Sequence, residues 1–176
     1  MARVWFPKRL FADVAQHLVA APESMAFMRA SFEQASSTFR VEEVLLIPPT
    51  LPTCAEDEWH AVLDDDHRAE VIRWAWQSGS CLVEAHSHGS ILLPACFSRY
   101  DLRQLSEWVP HVRWRMQGRP YAALVSASKE FDGLAWVNDD GPEPVDSLIV
   151  EGCEPLATSG RSFEQIVRDD GQRRAV

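Results

Sequence analysis

The order of apolar segments along the chain constrains its fold more than any other feature of the sequence. Short runs rich in Val, Leu and Ile, such as Phe39 to Ile47, predict strands, whereas apolar residues at three-to-four spacing after Pro7 predict an amphipathic helix. Taken in sequence, the segments follow the order β-α-β-β-α-β-α-β-β-β. A helix on each face of a central sheet buries such segments, so we expect one α/β domain with a mixed, α+β type of sheet.

The balance of charges limits the partners that the chain is expected to bind. Lys and Arg number 17 and Asp and Glu number 26, which gives a formal net charge of −9. A surface that acidic repels a phosphate backbone, so nucleic acid is not an expected partner. No apolar run reaches the roughly 20 residues that a membrane-spanning helix needs, and the stretch MARVWFPKRLFADV lacks the continuous apolar run that is typical of a secretory signal. We therefore expect a cytoplasmic protein that has no membrane partner.

Residues 86 to 101, with the sequence HSHGSILLPACFSRYD, contain the residue types of a metal site. Ser80 to His88 is a predicted strand, and side chains at i and i+2 of a strand point the same way, so His86 and His88 present two imidazoles to one face. Ser98 begins a short predicted helix that runs through Trp108, and Asp101 lies on the same face of that helix three residues later. If the chain turns back after the strand, Asp101 can supply the third protein ligand that a catalytic zinc needs.

Each half of this pattern also has an ordinary structural interpretation. His-x-His occurs on exposed strands, and Ser-x-x-Asp is a helix N-cap in which both side chains bond backbone amides. A strand before the pattern and a helix after it make the combination more specific than either half. The combination favours a metal site.

The same residues resemble the signature of the JAB/MPN family, in its metalloprotease form called JAMM or MPN-plus. That signature is an upstream Glu, then His-x-His, then Ser-x-x-Asp after a loop; EAHSHG at residues 84–89 and SRYD at residues 98–101 match its last two parts. The resemblance implies an MPN/JAB sandwich, related to the cytidine-deaminase fold, with helices packed on a central mixed sheet. It implies a metalloprotease domain that we place over residues 1–157. Beyond it the composition turns polar, which predicts a polar C-terminal tail over residues 158–176, either a solvated helix or a frayed end.

The resemblance also implies a role for each residue of the signature. His86, His88 and Asp101 would bind one zinc ion per chain, and Ser98 would stabilise the oxyanion. The family's upstream Glu follows the first helix at the start of a strand, which makes Glu23 the candidate catalytic base. Glu84 remains an alternative base, or a hydrogen-bond acceptor for an imidazole, because it shares a strand face with both histidines.

By the same resemblance, the expected activity is hydrolysis of a peptide or isopeptide bond after the C-terminus of ubiquitin or a ubiquitin-like protein. The substrate's tail would bind as an added strand. E1- or E2-like proteins of a bacterial ubiquitin-like or antiphage conjugation system would be further partners. Two alternatives stay open, namely a catalytically inactive MPN scaffold and a JAMM-like hydrolase of a small amide or peptide.

The loop between the second histidine and the serine departs from the family's pattern. It runs from Gly89 to Phe97, which is two residues longer than is common, and Gly89 replaces the usual proline. A loop absorbs two residues at little entropic cost, so the ligands are expected to keep their places. The departure affects the expected shape of the substrate channel.

Overall fold

The computed structural model describes residues 1–19, 23–47, 65–88, 94–127 and 130–174. This part of the chain contains eight strands, four α-helices and a short 3-10 helix at Gln34–Ser36. The strands are β1 (Ala2–Phe6), β2 (Met25–Glu33), β3 (Thr38–Ile47), β4 (Cys81–Ser87), β5 (Tyr121–Ala127), β6 (Glu130–Trp136), β7 (Glu143–Val150) and β8 (Leu156–Ala157). The helices are α1 (Lys8–Val19), α2 (Asp65–Gln77), α3 (Arg99–Arg115) and α4 (Arg161–Arg174).

The sheet closes on itself, and this corrects the prediction of a sandwich on an open central sheet. Strands are hydrogen-bonded in the order β1-β3-β2-β4-β5-β6-β7, and β1 also pairs in parallel with β7, from Arg3 opposite Ser147 to Phe6 opposite Val150. These seven strands form a mixed barrel, and β8 adds to β7 outside the closure. The predicted MPN/JAB sandwich is therefore wrong. Alternating apolar patterns predict strands but carry no information about which distant strands pair.

The barrel is filled by alternate residues of its strands. One core cluster takes buried residues from all seven strands, including Val4, Met28 and Leu124, and adds Val14 and Leu18 from α1. The intervening residues point outward, as the period of two in a strand requires. The outward face would be exposed if helices did not cover it.

Helices α2 and α3 cover that outward face on the β4 and β5 side. A second cluster joins Leu82 and Val125 of the sheet to buried residues of these helices, such as Val71 and Leu105. Strand β4 thus has two different faces, with Val83 turned to the barrel core and Leu82 turned to the helices. The face turned to the helices is the one that carries His86.

Helix α3 is longer than predicted because it passes through Pro110. A proline inside a helix costs about 3 kcal/mol, so the sequence predicted that the helix ends at Trp108. The helix instead continues to Arg115, with Val109 and Val112 buried on either side of the proline. Full burial of a valine side chain contributes about 1.5–3 kcal/mol, so the two together outweigh the cost of the proline.

The segment predicted as a polar tail, residues 158–176, forms helix α4 over most of its length. Phe163 and Ile166 are partly buried and pack against the outer core cluster, and Ser162 is fully buried. The helix is therefore anchored to the barrel. None of the helices in the described part of the chain is long and apolar enough to cross a membrane.

Gly133 of β6 faces a part of the barrel core that has no room for a side chain. A Cβ there would lie 2.7 Å from Cδ2 of Leu124 and 3.0 Å from Cβ of Val145. We expect Gly133→Ala to lower the free energy of unfolding by about 1–3 kcal/mol, because overpacking forces neighbours to shift. Urea unfolding followed by circular dichroism measures this change.

Gly171→Ala is the matched control for this substitution. A Cβ at Gly171 of α4 would meet nothing within 4 Å, and alanine is the better helix former. We expect the control to leave the free energy of unfolding unchanged or to raise it by up to about 1 kcal/mol. Equal destabilisation by the two substitutions would contradict the close packing at Gly133.

Candidate metal centre

Strand β4 brings the two histidines of the predicted site together at its carboxyl end. His86 lies in the strand, and the N–H of His88 extends the ladder by donating to the carbonyl of Ser126 at 2.8 Å. Both side chains therefore face the same side of the sheet, as predicted. Their Nε2 atoms are 3.3 Å apart.

The start of α3 brings Asp101 to the histidines. Its Oδ2 lies 3.2 Å from Nε2 of His88 and 3.7 Å from Nε2 of His86. The chain thus turns back after β4 as the metal-site prediction requires. Residues 89–93 of the intervening loop lie outside the described residues, so the effect of its extra length on a substrate channel stays a prediction.

Ser98 and Asp101 also form the helix cap that the ordinary interpretation predicted. The N–H of Asp101 donates to Oγ of Ser98 at 3.1 Å, and the N–H of Ser98 donates to Oδ2 of Asp101 at 2.7 Å. The cap holds the Asp101 carboxylate in place toward the histidines. Because Oγ of Ser98 acts as the acceptor in this bond, its own proton can be donated elsewhere.

The distances among the three ligand atoms fit a single first-row metal ion. Zinc binds imidazole nitrogen and carboxylate oxygen at about 2.0–2.2 Å, so two ligands of a tetrahedral site lie about 3.4 Å apart. The observed separations of 3.2, 3.3 and 3.7 Å bracket that value. Among the residues that the structure describes, His86, His88 and Asp101 are the one group of three such side chains with all ligand atoms within 4.8 Å. Two imidazoles and a carboxylate suit zinc better than they suit magnesium or calcium.

The contacts within the group shift the pKa values of His88 and Asp101. The hydrogen bond to Asp101 raises the pKa of His88 against the opposing effect of burial, and the charges of Asp101 and Glu23 add to the rise. Burial alone would raise the pKa of Asp101, but hydrogen bonds with both histidines and the charge of His86 hold that pKa well below its ordinary value. Asp101 is therefore a carboxylate at neutral pH, which is the form that binds a cation.

Glu23 lies beside His88, just before β2. The antiparallel register pairs Met25 with His86, and the next residues are joined by two hydrogen bonds, from Ser87 N to Ser24 O at 3.0 Å and from Ser24 N to Ser87 Oγ at 2.9 Å. If that register is continued by one residue, Glu23 falls opposite His88, and opposite residues of an antiparallel pair face the same side. The charge of Glu23 does contribute to the raised pKa of His88, which agrees with this position. Glu23 is half-buried and is not one of the three residues whose ligand atoms cluster.

Glu84, the alternative base, ends a buried chain of hydrogen bonds. Trp108 Nε1 donates to the Tyr121 hydroxyl at 2.8 Å, and that hydroxyl donates to Oε2 of Glu84. Burial raises the pKa of Glu84, while the bond from Tyr121 and the charge of His86 act in the opposite direction. Only 5% of the Glu84 surface is exposed, whereas Glu23 is half-buried. A water molecule beside the three candidate metal ligands therefore reaches Glu84 less easily than Glu23.

The groups that surround the ligands could not have been found from the sequence. The Phe97 ring lies against His86, with the ring centroids 5.5 Å apart, while Tyr121 and Trp108 approach Glu84 from β5 and α3. These positions depend on strand register and on how α3 packs. No local spacing in the sequence indicates them.

Fold and site together define a small closed mixed barrel with flanking helices and a candidate His-His-Asp metal centre at the end of β4. No family model matches the chain, and no curated protein matches it. Among solved structures, the chain is similar to a protein of Desulfitobacterium hafniense determined in solution, with a TM-score of 0.52 and 14% identity over 89% of this chain and 95% of that one. It is also similar to a protein of Salinibacter ruber, with a TM-score of 0.45 and 16% identity over 89% and 96% of the two chains. The first similarity supports the barrel fold; the second is too low to add to the argument.

Proposed function

We propose that the chain is a zinc-dependent peptidase or isopeptidase that uses the catalytic mechanism of JAMM enzymes. The observation that carries this proposal is the convergence of His86, His88 and Asp101, whose ligand atoms lie 3.2–3.7 Å apart. Ser98 is hydrogen-bonded to Asp101, and the charge of Glu23 acts on His88. The donor set and the separations suit one zinc ion per chain. The barrel fold neither requires nor opposes this activity, since function depends on the site.

The proposed chemistry divides the steps of amide hydrolysis among these side chains. Zinc bound by His86, His88 and Asp101 would polarise the substrate carbonyl and lower the pKa of a water molecule to about 7. Glu23 takes the proton of the attacking water and delivers it to the leaving amine. Ser98 donates its hydroxyl proton to the developing oxyanion while its Oγ still accepts from Asp101 N–H, so capping and catalysis are compatible.

The substrate class of the proposal comes from the resemblance of the motif. We expect the extended C-terminal tail of a ubiquitin-like protein as substrate, with E1- or E2-like proteins of the same conjugation system as partners and a cytoplasmic location. The net charge of −9 favours protein over nucleic acid as substrate. Small amides or short peptides are the second substrate class that the same chemistry would serve.

The proposal is tested by zinc content followed by cleavage assays. We expect the protein purified without chelator to hold about one zinc per chain. It should release a reporter that is amide-linked to the C-terminus of some ubiquitin-like protein in a panel, and a chelator should stop the release until zinc is restored.

The outcomes of these assays separate the alternatives. A folded protein that takes up no zinc would overturn the proposal and favour a non-catalytic scaffold. A zinc protein that hydrolyses short peptide amides but none of the ubiquitin-like fusions would overturn the substrate class and keep the chemistry.

A further inference from the structure

A buried aspartate anchors helix α4 to the barrel. Asp132 of β6 has no exposed surface, and its carboxylate accepts four hydrogen bonds. Oδ1 accepts from the N–H of Gly133 at 2.9 Å and of Gly160 at 3.0 Å, while Oδ2 accepts from the N–H and the hydroxyl of Ser162 at 2.8 and 2.6 Å. Gly160 and Ser162 stand at the start of α4, so Asp132 satisfies N–H groups that have no partner inside the helix.

The anchored helix start also holds the segment that leads into α3. The Ser162 hydroxyl, which donates to Asp132, accepts from the N–H of Phe97 at 2.8 Å. Nearby, the Ser159 hydroxyl donates to the carbonyl of Ala95 at 2.7 Å. Two serines from the C-terminal segment therefore fix the backbone of residues 95–97.

Phe97 connects this segment to two of the three metal ligands. Its ring packs against the ring of His86, and it immediately precedes Ser98, whose N–H donates to the Asp101 carboxylate. A shift of the Phe97 backbone would move the ring that supports His86 and the cap that orients Asp101. Both effects would enlarge the separations on which metal binding depends.

We propose that Asp132 and Ser162 are positioning residues of the metal centre, which act through Phe97 on His86 and Asp101. This inference rests on the proposed function, because it takes the His-His-Asp group as a metal site. Groups that hydrogen-bond directly to metal ligands change metal affinity by about 10–100-fold. Asp132 and Ser162 act one contact further out, so we expect an effect near the lower end of that range. The segment that contains Ser159 and Ser162 then helps to position the metal ligands.

Cobalt(II) is the probe for this inference, because its visible absorption reports ligand geometry whereas zinc is spectroscopically silent. We expect Ser162→Ala to weaken cobalt binding roughly tenfold and to change the absorption spectrum. Hydrogen exchange at the Phe97 amide should also become faster, because the amide loses its acceptor. Circular dichroism and thermal unfolding of each variant show whether the fold is retained.

Thr158→Val is the matched control, since it removes a hydroxyl of the same segment that is hydrogen-bonded to β7 and not to residues 95–97. The Thr158 hydroxyl donates to the carbonyls of Val145 and Asp146, so its loss should reduce stability without changing the cobalt spectrum.

If Ser162→Ala fails to fold, Ser159→Ala replaces it, and the same changes are expected. Wild-type cobalt affinity and spectrum in the serine variant would overturn the inference and leave the proposed function intact. Absence of cobalt binding in the wild type would overturn the proposed function, and with it this inference.

Discussion

Replacing Asp101 by alanine is expected to reduce zinc from about one ion per chain to nearly none. Asp101 Oδ2 is the atom that approaches both imidazoles, and two histidines alone leave zinc without the third protein ligand of a catalytic site. The substitution also removes the acceptor of the Ser98 N–H, which is one of the two bonds of the capping box, and should lower the free energy of unfolding by up to about 1 kcal/mol. Zinc content after dialysis and urea unfolding measure the two effects separately.

Two control substitutions separate ligation from capping. Asp66→Ala removes an acidic residue from the first turn of α2, away from the histidines, and should leave zinc content unchanged. Ser98→Ala removes the Oγ acceptor of the cap but keeps the backbone N–H that holds Oδ2 of Asp101 in place, so it should lower stability and retain zinc. If Asp101→Ala retained a full equivalent of zinc, Asp101 would be a capping residue and the assigned ligand set would be incorrect.

Glu23→Gln is expected to lower turnover by about 100–10,000-fold while the zinc content stays near one per chain. Glutamine keeps the size of the side chain but cannot take a proton from water. Zinc should remain because Glu23 is not one of the three clustered ligands. Steady-state rates on a cleavable substrate and zinc analysis of the same preparation provide the measurement.

Glu84→Gln is the matched comparison, since it makes the same chemical change two residues from His86. Its amide can still accept the hydrogen bond from Tyr121, so we expect turnover within about tenfold of the wild type. The reverse result, with turnover lost in Glu84→Gln and kept in Glu23→Gln, would transfer the role of base to Glu84.

The parts of the site that follow from local geometry could be predicted from the sequence. His86 and His88 share a face because a strand has a period of two, and Ser98 caps α3 because Ser-x-x-Asp satisfies the first amides of a helix. The place of Asp101 follows once the chain turns back between these elements. Each of these features depends on residues that are close in sequence.

The features that depend on distant residues could not be predicted in this way. The pairing of β1 with β7 joins residues 2–6 to residues 145–150, and no local pattern distinguishes it from an open edge. Helix α3 continues beyond Pro110 because Val112 packs against the apolar residues on the outer face of the sheet. Likewise, the start of α4 is held by hydrogen bonds to Asp132 of β6. The sequence around Asp132 does not indicate that its carboxylate accepts four hydrogen bonds.

The pairing of β1 with β7 has a consequence for how the chain reaches its native state. About 140 residues separate the two strands, and their ladder cannot form until β7 has been synthesised. Contacts between residues so far apart require closure of a long loop before they stabilise the structure, which slows folding. Until then, the strand with Val4 and Phe6 lacks one of its two neighbours and exposes an unpaired edge. We therefore expect barrel closure to be a late step of folding.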